Sequence, residues 1–221
     1  MDDVQIKKLA QIAHRKKFNA GQTIISDEEP VDFFANVISG AVKLTKTLPD
    51  GCQQIVGLLF APDFLGRAYS KNNPYTAEAA TDVEICTFPN AAFERLVGEY
   101  PGLQQRLFRH TLDELDAARD WMLLLGRKTA EEKVASFLFM LARRSMMTGC
   151  LHKSTPGVAA FELPLTRSDI ADYLGLTIET VSRQLTRLKT ANVVRLSSNR
   201  LIMVPDIDKL AHAAGQENGP H

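Results

Sequence analysis

The stretch Thr166-Arg167-Ser168-Asp169-Ile170-Ala171-Asp172-Tyr173-Leu174-Gly175-Leu176-Thr177-Ile178-Glu179-Thr180-Val181-Ser182-Arg183-Gln184-Leu185 decides the fold of this chain. Thr166 with Asp169 three residues later caps a first helix, Asp169 standing in for the usual glutamate of a capping box. Ile170, Ala171 and Leu174 give that helix one apolar face. Gly175 supplies the residue that can take positive φ in a tight turn. Thr177 then caps a second helix, whose Val181, Leu185 and Leu188 form its buried side. Two short helices joined by a glycine-containing turn are the helix-turn-helix pattern. Gln184 departs from it, because an apolar residue usually occupies that place.

The exposed side of the second helix opens with Ile178, Glu179, Ser182 and Arg183, near the N-terminus, where recognition helices reach base edges. Arg183 suits a bidentate contact to guanine O6 and N7, Glu179 accepts from cytosine N4, and Ser182 reaches base or phosphate. Thr166, Thr177, Thr186, Arg187, Lys189, Ser198 and Arg200 are the candidate contacts to the DNA backbone. Val193–Leu196 and Leu201–Val204 read as a β-hairpin with the polar tip Ser197-Ser198-Asn199-Arg200, which fits a wing beside the recognition helix. The plainer reading is a solvated pair of amphipathic helices. Caps, turn glycine, reading face and hairpin in one register favour DNA binding.

Upstream, Thr129-Ala130-Glu131-Glu132 resembles a capping box that starts a helix through Arg144, and 145–160 reads as loop. Pro101 opens a long helix to about Leu125, which Gly126-Arg127-Lys128-Thr129 interrupts. Spacings of three and four along it pick out Phe108, Thr111, Leu115, Ala118, Met122 and Leu125, a coiled-coil seam without charge. The rival reading packs this stripe on its own domain; Leu107, Leu112 and Leu123 are the residues that would supply such a face instead. Ala91 to Glu99 is a short helix. Between Phe18 and Phe88 lie short β-prone runs at 23–25, 33–38, 41–47, 54–60 and 83–88. Turn signals separate them, including Ser39-Gly40 and Pro49-Asp50-Gly51, as in a sandwich or barrel. Residues 1–17 have helical spacing in Val4, Ile6, Leu9, Ile12 and Ala13.

The 221 residues suffice for two small domains, and 45% apolar with 24% charged residues is ordinary for a globular protein. The net charge is zero, so a DNA-binder has to concentrate its positive charge locally. No apolar run approaches the roughly 18 residues that span a bilayer. The acidic start Met1-Asp2-Asp3-Val4-Gln5 lacks the apolar core of a signal peptide, so a cytoplasmic location without membrane attachment is expected. Cys52, Cys86 and Cys150 show no C-x-x-C spacing, which supports neither a structural zinc site nor a disulfide framework. No P-loop, H-E-x-x-H or G-x-S-x-G motif occurs, and an enzyme is not expected.

In this order of parts, and most specifically in Asp169–Arg183 and Trp121–Lys133, the chain resembles the Crp/Fnr superfamily of transcription regulators. Glu179, Ser182 and Arg183 match the Glu-x-x-Ser-Arg of its fumarate–nitrate and nitrogen-fixation branch. Ile178 stands where the catabolite activator has an arginine. The resemblance implies an α+β fold: an N-terminal β-barrel of jelly-roll, cyclic-nucleotide-binding-like type, a long dimerisation helix and a C-terminal winged helix-turn-helix. The expected bounds are 1–100, 101–126 and 127–221. It implies a homodimer on double-stranded DNA, at a palindrome like TTGAT-N-N-N-N-ATCAA. It also implies RNA polymerase as partner, with Pro49-Asp50-Gly51 as a candidate contact and a plain turn as the alternative.

The expected cofactor is none. Members that bind cyclic AMP carry a Gly-Glu…Arg-Ser/Thr cassette, whereas this chain has Gly66-Arg67 and no Arg-Ser before Ala77. Arg67 and Lys71 suit an anion or plain surface charge. Iron–sulfur relatives ligate through an N-terminal cysteine cluster plus one cysteine where Cys86 stands; here the cluster is missing, so Cys86 reads as a small apolar strand residue. His14, His110, His152, His212 and His221 all lie outside Phe18–Phe88, which disfavours a barrel histidine on haem. Cys52, beside Asp50-Gly51, is a candidate for oxidation, with a neutral role favoured. The alternative to a cofactor-independent regulator is a ligand- or redox-gated sensor of the same fold, holding a small anion, haem or an iron–sulfur centre.

Overall fold

A computed structural model describes residues 3–27, 29–70, 72–148, 158–197 and 200–216, with the backbone alone at 3–7 and 148. The chain divides into two compact units, Met1–Ala118 and Arg119–His221, and the division falls inside one helix.

The first unit begins with α1 (Asp3–Ile12) and continues through β1 (His14–Phe18), β2 (Thr23–Ile25), β3 (Phe33–Ser39), β4 (Ala41–Thr47), β5 (Gln53–Phe60), β6 (Phe64–Leu65), β7 (Thr76–Ala79) and β8 (Val83–Pro89). Then come α2 (Asn90–Glu99) and the start of α3 (Pro101–Arg127). The strands form two antiparallel four-stranded sheets, ordered β1-β8-β3-β6 and β2-β7-β4-β5. Each sheet keeps free edges, so the expected barrel is an open, jelly-roll-like pair of sheets.

The apolar positions of these strands meet in one core around Ile25, Val37, Val42, Leu65, Val83 and Ile85. A second core joins α2 and the start of α3 to β3 and β8, where the Phe34 and Phe93 rings stack at 4.5 Å. Gly40 turns β3 into β4 at φ +85°, and a Cβ there would collide with the carbonyl oxygen of Asp82.

Three expectations need correction here. The helix read over 1–17 stops at Ile12, because His14-Arg15-Lys16-Lys17 offer no apolar face and instead pair along β8 as an exposed edge strand. β6 and β7 escaped the pattern: one has two residues, and the other is Thr-Ala-Glu-Ala, whose Ala77 and Ala79 are fully buried small residues. In the second unit, 145–160 is not all loop.

That second unit holds the end of α3, α4 (Ala130–Thr148), β9 (Ala159–Glu162), α5 (Arg167–Leu174), α6 (Ile178–Thr190), β10 (Arg195–Leu196), β11 (Leu201–Val204) and α7 (Ile207–Ala213). Residues 149–157, with Cys150 and His152, lie outside the described residues, as do Lys71, Ser198, Asn199 and His221. The wing is a three-stranded sheet ordered β10-β11-β9. It starts at Arg195, because Val193 and Val194 turn inward and are buried. Thr129 and Glu132 form the expected cap of α4: the Thr129 N–H donates to Glu132 Oε2 at 2.8 Å, and the Glu132 N–H donates to Thr129 Oγ1 at 3.3 Å. Lys128 Nζ ties this junction to the end of α7, donating to Ser136 Oγ at 2.8 Å and to the Ala214 carbonyl at 2.6 Å.

Candidate nucleic-acid interface

α5 starts as its sequence dictates. The Asp169 N–H donates to Thr166 Oγ1 at 3.1 Å, and the Thr166 N–H donates back to Asp169 Oδ2 at 3.0 Å. Gly175 ends the helix in the left-handed region at φ 62°, ψ 47°. Thr177 caps α6 by accepting from the Thr180 N–H at 3.2 Å. Val181, Leu185 and Leu188 are buried beneath α6, as is Gln184. The Trp121 ring, from the end of α3, stacks on Tyr173 of α5 at 4.1 Å. Burial raises the Tyr173 phenol well above its ordinary range.

Ile178, Glu179, Ser182 and Arg183 all lie on the open side of α6, exposed at its first two turns. Backbone and Thr177 hydrogen bonds lower the Glu179 carboxyl, which keeps it an ionised acceptor. Arg183 Nη2 reaches Thr180 Oγ1 at 3.5 Å, and the Thr177 hydroxyl donates to Thr180 Oγ1 at 3.1 Å. The capping threonine and Thr180 thus steer the guanidinium along the helix. Thr180 was missed in the sequence, although the spacing 177, 180, 183 runs down one helical face.

The candidate backbone contacts are placed less uniformly. Thr166, Thr177, Lys189 and Arg200 are exposed. The Thr186 hydroxyl donates to the Ser182 carbonyl at 2.9 Å, which commits its proton to the helix. Arg187 is exposed but sits 3.2 Å from Glu131 at the start of α4. Ser198 lies outside the described residues.

The zero net charge is unevenly shared: residues 1–118 hold 12 basic and 16 acidic side chains, and residues 119–221 hold 14 and 10. The unit with the helix-turn-helix is therefore the positive one.

On α3, Phe108, Thr111, Leu115, Ala118 and Met122 are exposed and Leu125 is half-buried. The inward residues are Leu103 and Leu124, with Leu107 partly buried. The rival expectation is corrected here: Leu112 and Leu123 are 44% and 61% exposed and supply no internal face. Every residue from Thr111 to Asp120 is exposed.

The interior between the two sheets is lined by apolar side chains, and Arg67 is exposed. Those residues do not fit a cyclic phosphodiester, which needs buried cationic and hydrogen-bonding partners. Cys86 is half-buried on β8, and burial pushes its thiol up; Cys52 is exposed at the β4–β5 turn. Among the described residues no three His, Cys, Asp or Glu side chains gather as a metal set. Among them, too, no helix is long and apolar enough to cross a membrane.

A capped helix-turn-helix with a three-stranded wing, joined by a long helix to a jelly-roll-like unit, defines a DNA-binding transcription regulator. Residues 132–213 match the Crp-like helix-turn-helix domain, and residues 15–100 match the cyclic nucleotide-binding domain. A probable transcriptional activator of Rhizobium leguminosarum bv. viciae is 50% identical over 93% of this chain and 83% of its own length. The transcriptional activator protein FnrL of Cereibacter sphaeroides is 45% identical over 98% of this chain and 87% of its own. The structure of FixK2 from Bradyrhizobium japonicum superposes with a TM-score of 0.81 at 32% identity, covering 95% of this chain and 100% of that one. The chain belongs to the Crp/Fnr family of transcription regulators.

Proposed function

We propose that the protein is a cytoplasmic transcriptional activator that binds a TTGAT-N-N-N-N-ATCAA-like palindrome as a homodimer, without a bound effector. The observation that carries this reading is the N-terminal face of α6, where an ionised Glu179 and the threonine-steered Arg183 stand exposed one turn apart. That pair supplies the acceptor and the bidentate donor that a C·G pair requires in the major groove. Thr166, Thr177, Lys189 and Arg200 surround it with backbone contacts, and Arg187 joins them when it leaves Glu131. Two such faces about one helical turn, roughly 34 Å, apart would read the two half-sites.

The apolar interior between the sheets supports independence from cyclic nucleotides. The β4–β5 turn supports an RNA polymerase contact: Leu48 at its start is exposed, and Asp50 Oδ1 holds the Cys52 N–H at 3.0 Å. The named activators among the relatives point the same way. Selection of bound duplexes from a random pool, run anaerobically with no ligand added, tests the reading. Enrichment of the palindrome is expected. Enrichment only after adding cyclic AMP, or a chromophore whose loss abolishes binding, would sink the effector-free reading.

A further inference from the structure

Beside the N-terminal half of α3, a groove of about 490 Å³ is lined by Tyr69, Val97, Gln104, Leu107, Phe108 and Thr111. Two aromatic rings border it in the open, Tyr69 at 65% and Phe108 at 64% exposure. Tyr69 holds φ at +64°, a left-handed conformation that a bulky side chain keeps only when its surroundings impose it. Glu94 of α2 imposes it, accepting from the Tyr69 N–H at 2.9 Å. Backbone strain that holds an aromatic ring out in solvent stabilises nothing inside this chain, and such strain collects where a surface is used.

We propose that this groove, with Tyr69 on its rim, is a second part of the subunit contact and is filled by a second copy of this chain. The proposal rests on the homodimer reading above.

Two observations identify the occupant. The first is continuity: Phe108 and Thr111 belong both to the groove and to the exposed stripe of α3. A helix is about 10 Å across, so one seated on Phe108 and Thr111 also covers Gln104 and Leu107. Whatever fills the seam therefore fills the groove.

The second is area. The large apolar side chains of the seam, Phe108, Leu115, Met122 and Leu125, bury roughly 500 Å² per copy at best. A stable interface takes about 800 Å² per partner. An exposed tyrosine and the groove behind it supply surface of the missing kind, and tyrosine is enriched among residues that dominate interfaces.

The test uses Tyr69→Gly in the full chain, because glycine accepts positive φ while removing the ring. Sedimentation equilibrium is expected to show a dimer constant weaker by about tenfold or more, while Tyr69→Phe dimerises as the wild type does. In an Ala118→Asp background, designed to be monomeric, Tyr69→Gly is expected to leave the melting temperature equal or higher, since strain is relieved.

An unchanged dimer constant overturns the proposal, as does a fall in melting temperature in the Ala118→Asp background, which would make the ring a support of its own fold. An unchanged dimer that has lost a small molecule or another protein overturns it too, giving the groove a different occupant. A wild type that is monomeric at micromolar concentration sinks the homodimer reading itself. A dimeric wild type indifferent to Tyr69 sinks the groove alone.

Discussion

Gln184 and Arg183 are neighbours on α6 with opposite environments, and each makes a prediction. The Gln184 side chain is 6% exposed, and its Oε1 accepts no hydrogen bond from any described residue. A buried amide oxygen left in that state costs about 1–3 kcal/mol. Leucine has similar volume and no polar atom. Gln184→Leu is therefore expected to stabilise the protein by about 1 kcal/mol, read as a higher urea midpoint at unchanged slope. A lower midpoint would show that the amide is satisfied in solution.

Arg183 points out, where no packing depends on it. Arg183→Ala should leave the midpoint alone, cost about 1–3 kcal/mol per half-site, and relax discrimination at the G·C pair. Uniformly weaker binding with discrimination intact would make Arg183 a phosphate contact. The sequence announced both residues, one as a polar side chain where the pattern wants an apolar one, the other as a basic side chain at the reading position. Thr180, which steers Arg183, stayed hidden because a threonine on a helix has no distinctive signature.

Elements differ in how far their causes lie from them in the chain, and that distance decided what was legible. α5 and α6 could be bounded from sequence because Thr166, Asp169, Gly175 and Thr177 close their own hydrogen bonds within four residues. β1, β6 and β7 exist only through strands far away in the chain, and the β1 sequence His-Arg-Lys-Lys-Phe reads as nothing in isolation. The same separation hid the ion pair between α4 and α6, in which Glu131 holds Arg187 at 3.2 Å. Both side chains are well exposed, so the pair itself adds little stability. Its consequence is for binding: a phosphate has to displace the carboxylate. Arg187→Ala should weaken binding to all sequences alike and lower the salt slope by roughly one. Glu131→Gln should do the reverse, strengthening sequence-independent binding at low salt. Equal filter-binding isotherms for Glu131→Gln and wild type on random duplex would show that the pair does not compete with DNA.

The whole molecule segregates its charge and its duties, with the acidic surplus in the jelly-roll-like unit and the basic surplus in the unit that meets DNA. A basic surplus of four is modest beside the phosphates of a duplex, so one copy on one half-site holds weakly. Affinity for a palindrome then has to come from joining two copies, and α3 is the element with a surface to spare. Ten consecutive exposed residues, Thr111 to Asp120, include Leu112, Leu115 and Ala118 and have no cover within the chain. A small residue at Ala118 lets two helices approach closely midway along the seam. An aspartate there would be harmless on a monomer, because the position already faces water. In a parallel dimer it would face its own symmetry mate. Two like charges in a seam cost about 3 kcal/mol, roughly a hundredfold in the dimer constant. Ala118→Asp should therefore leave the melting curve of each unit in place, shift sedimentation at micromolar concentration to monomer, and weaken palindrome binding far more than half-site binding. A variant that stays dimeric would move the contact off this stripe. A variant that becomes monomeric yet keeps full palindrome affinity would mean that two heads bind independently, and α3 would then be a spacer rather than the source of cooperativity.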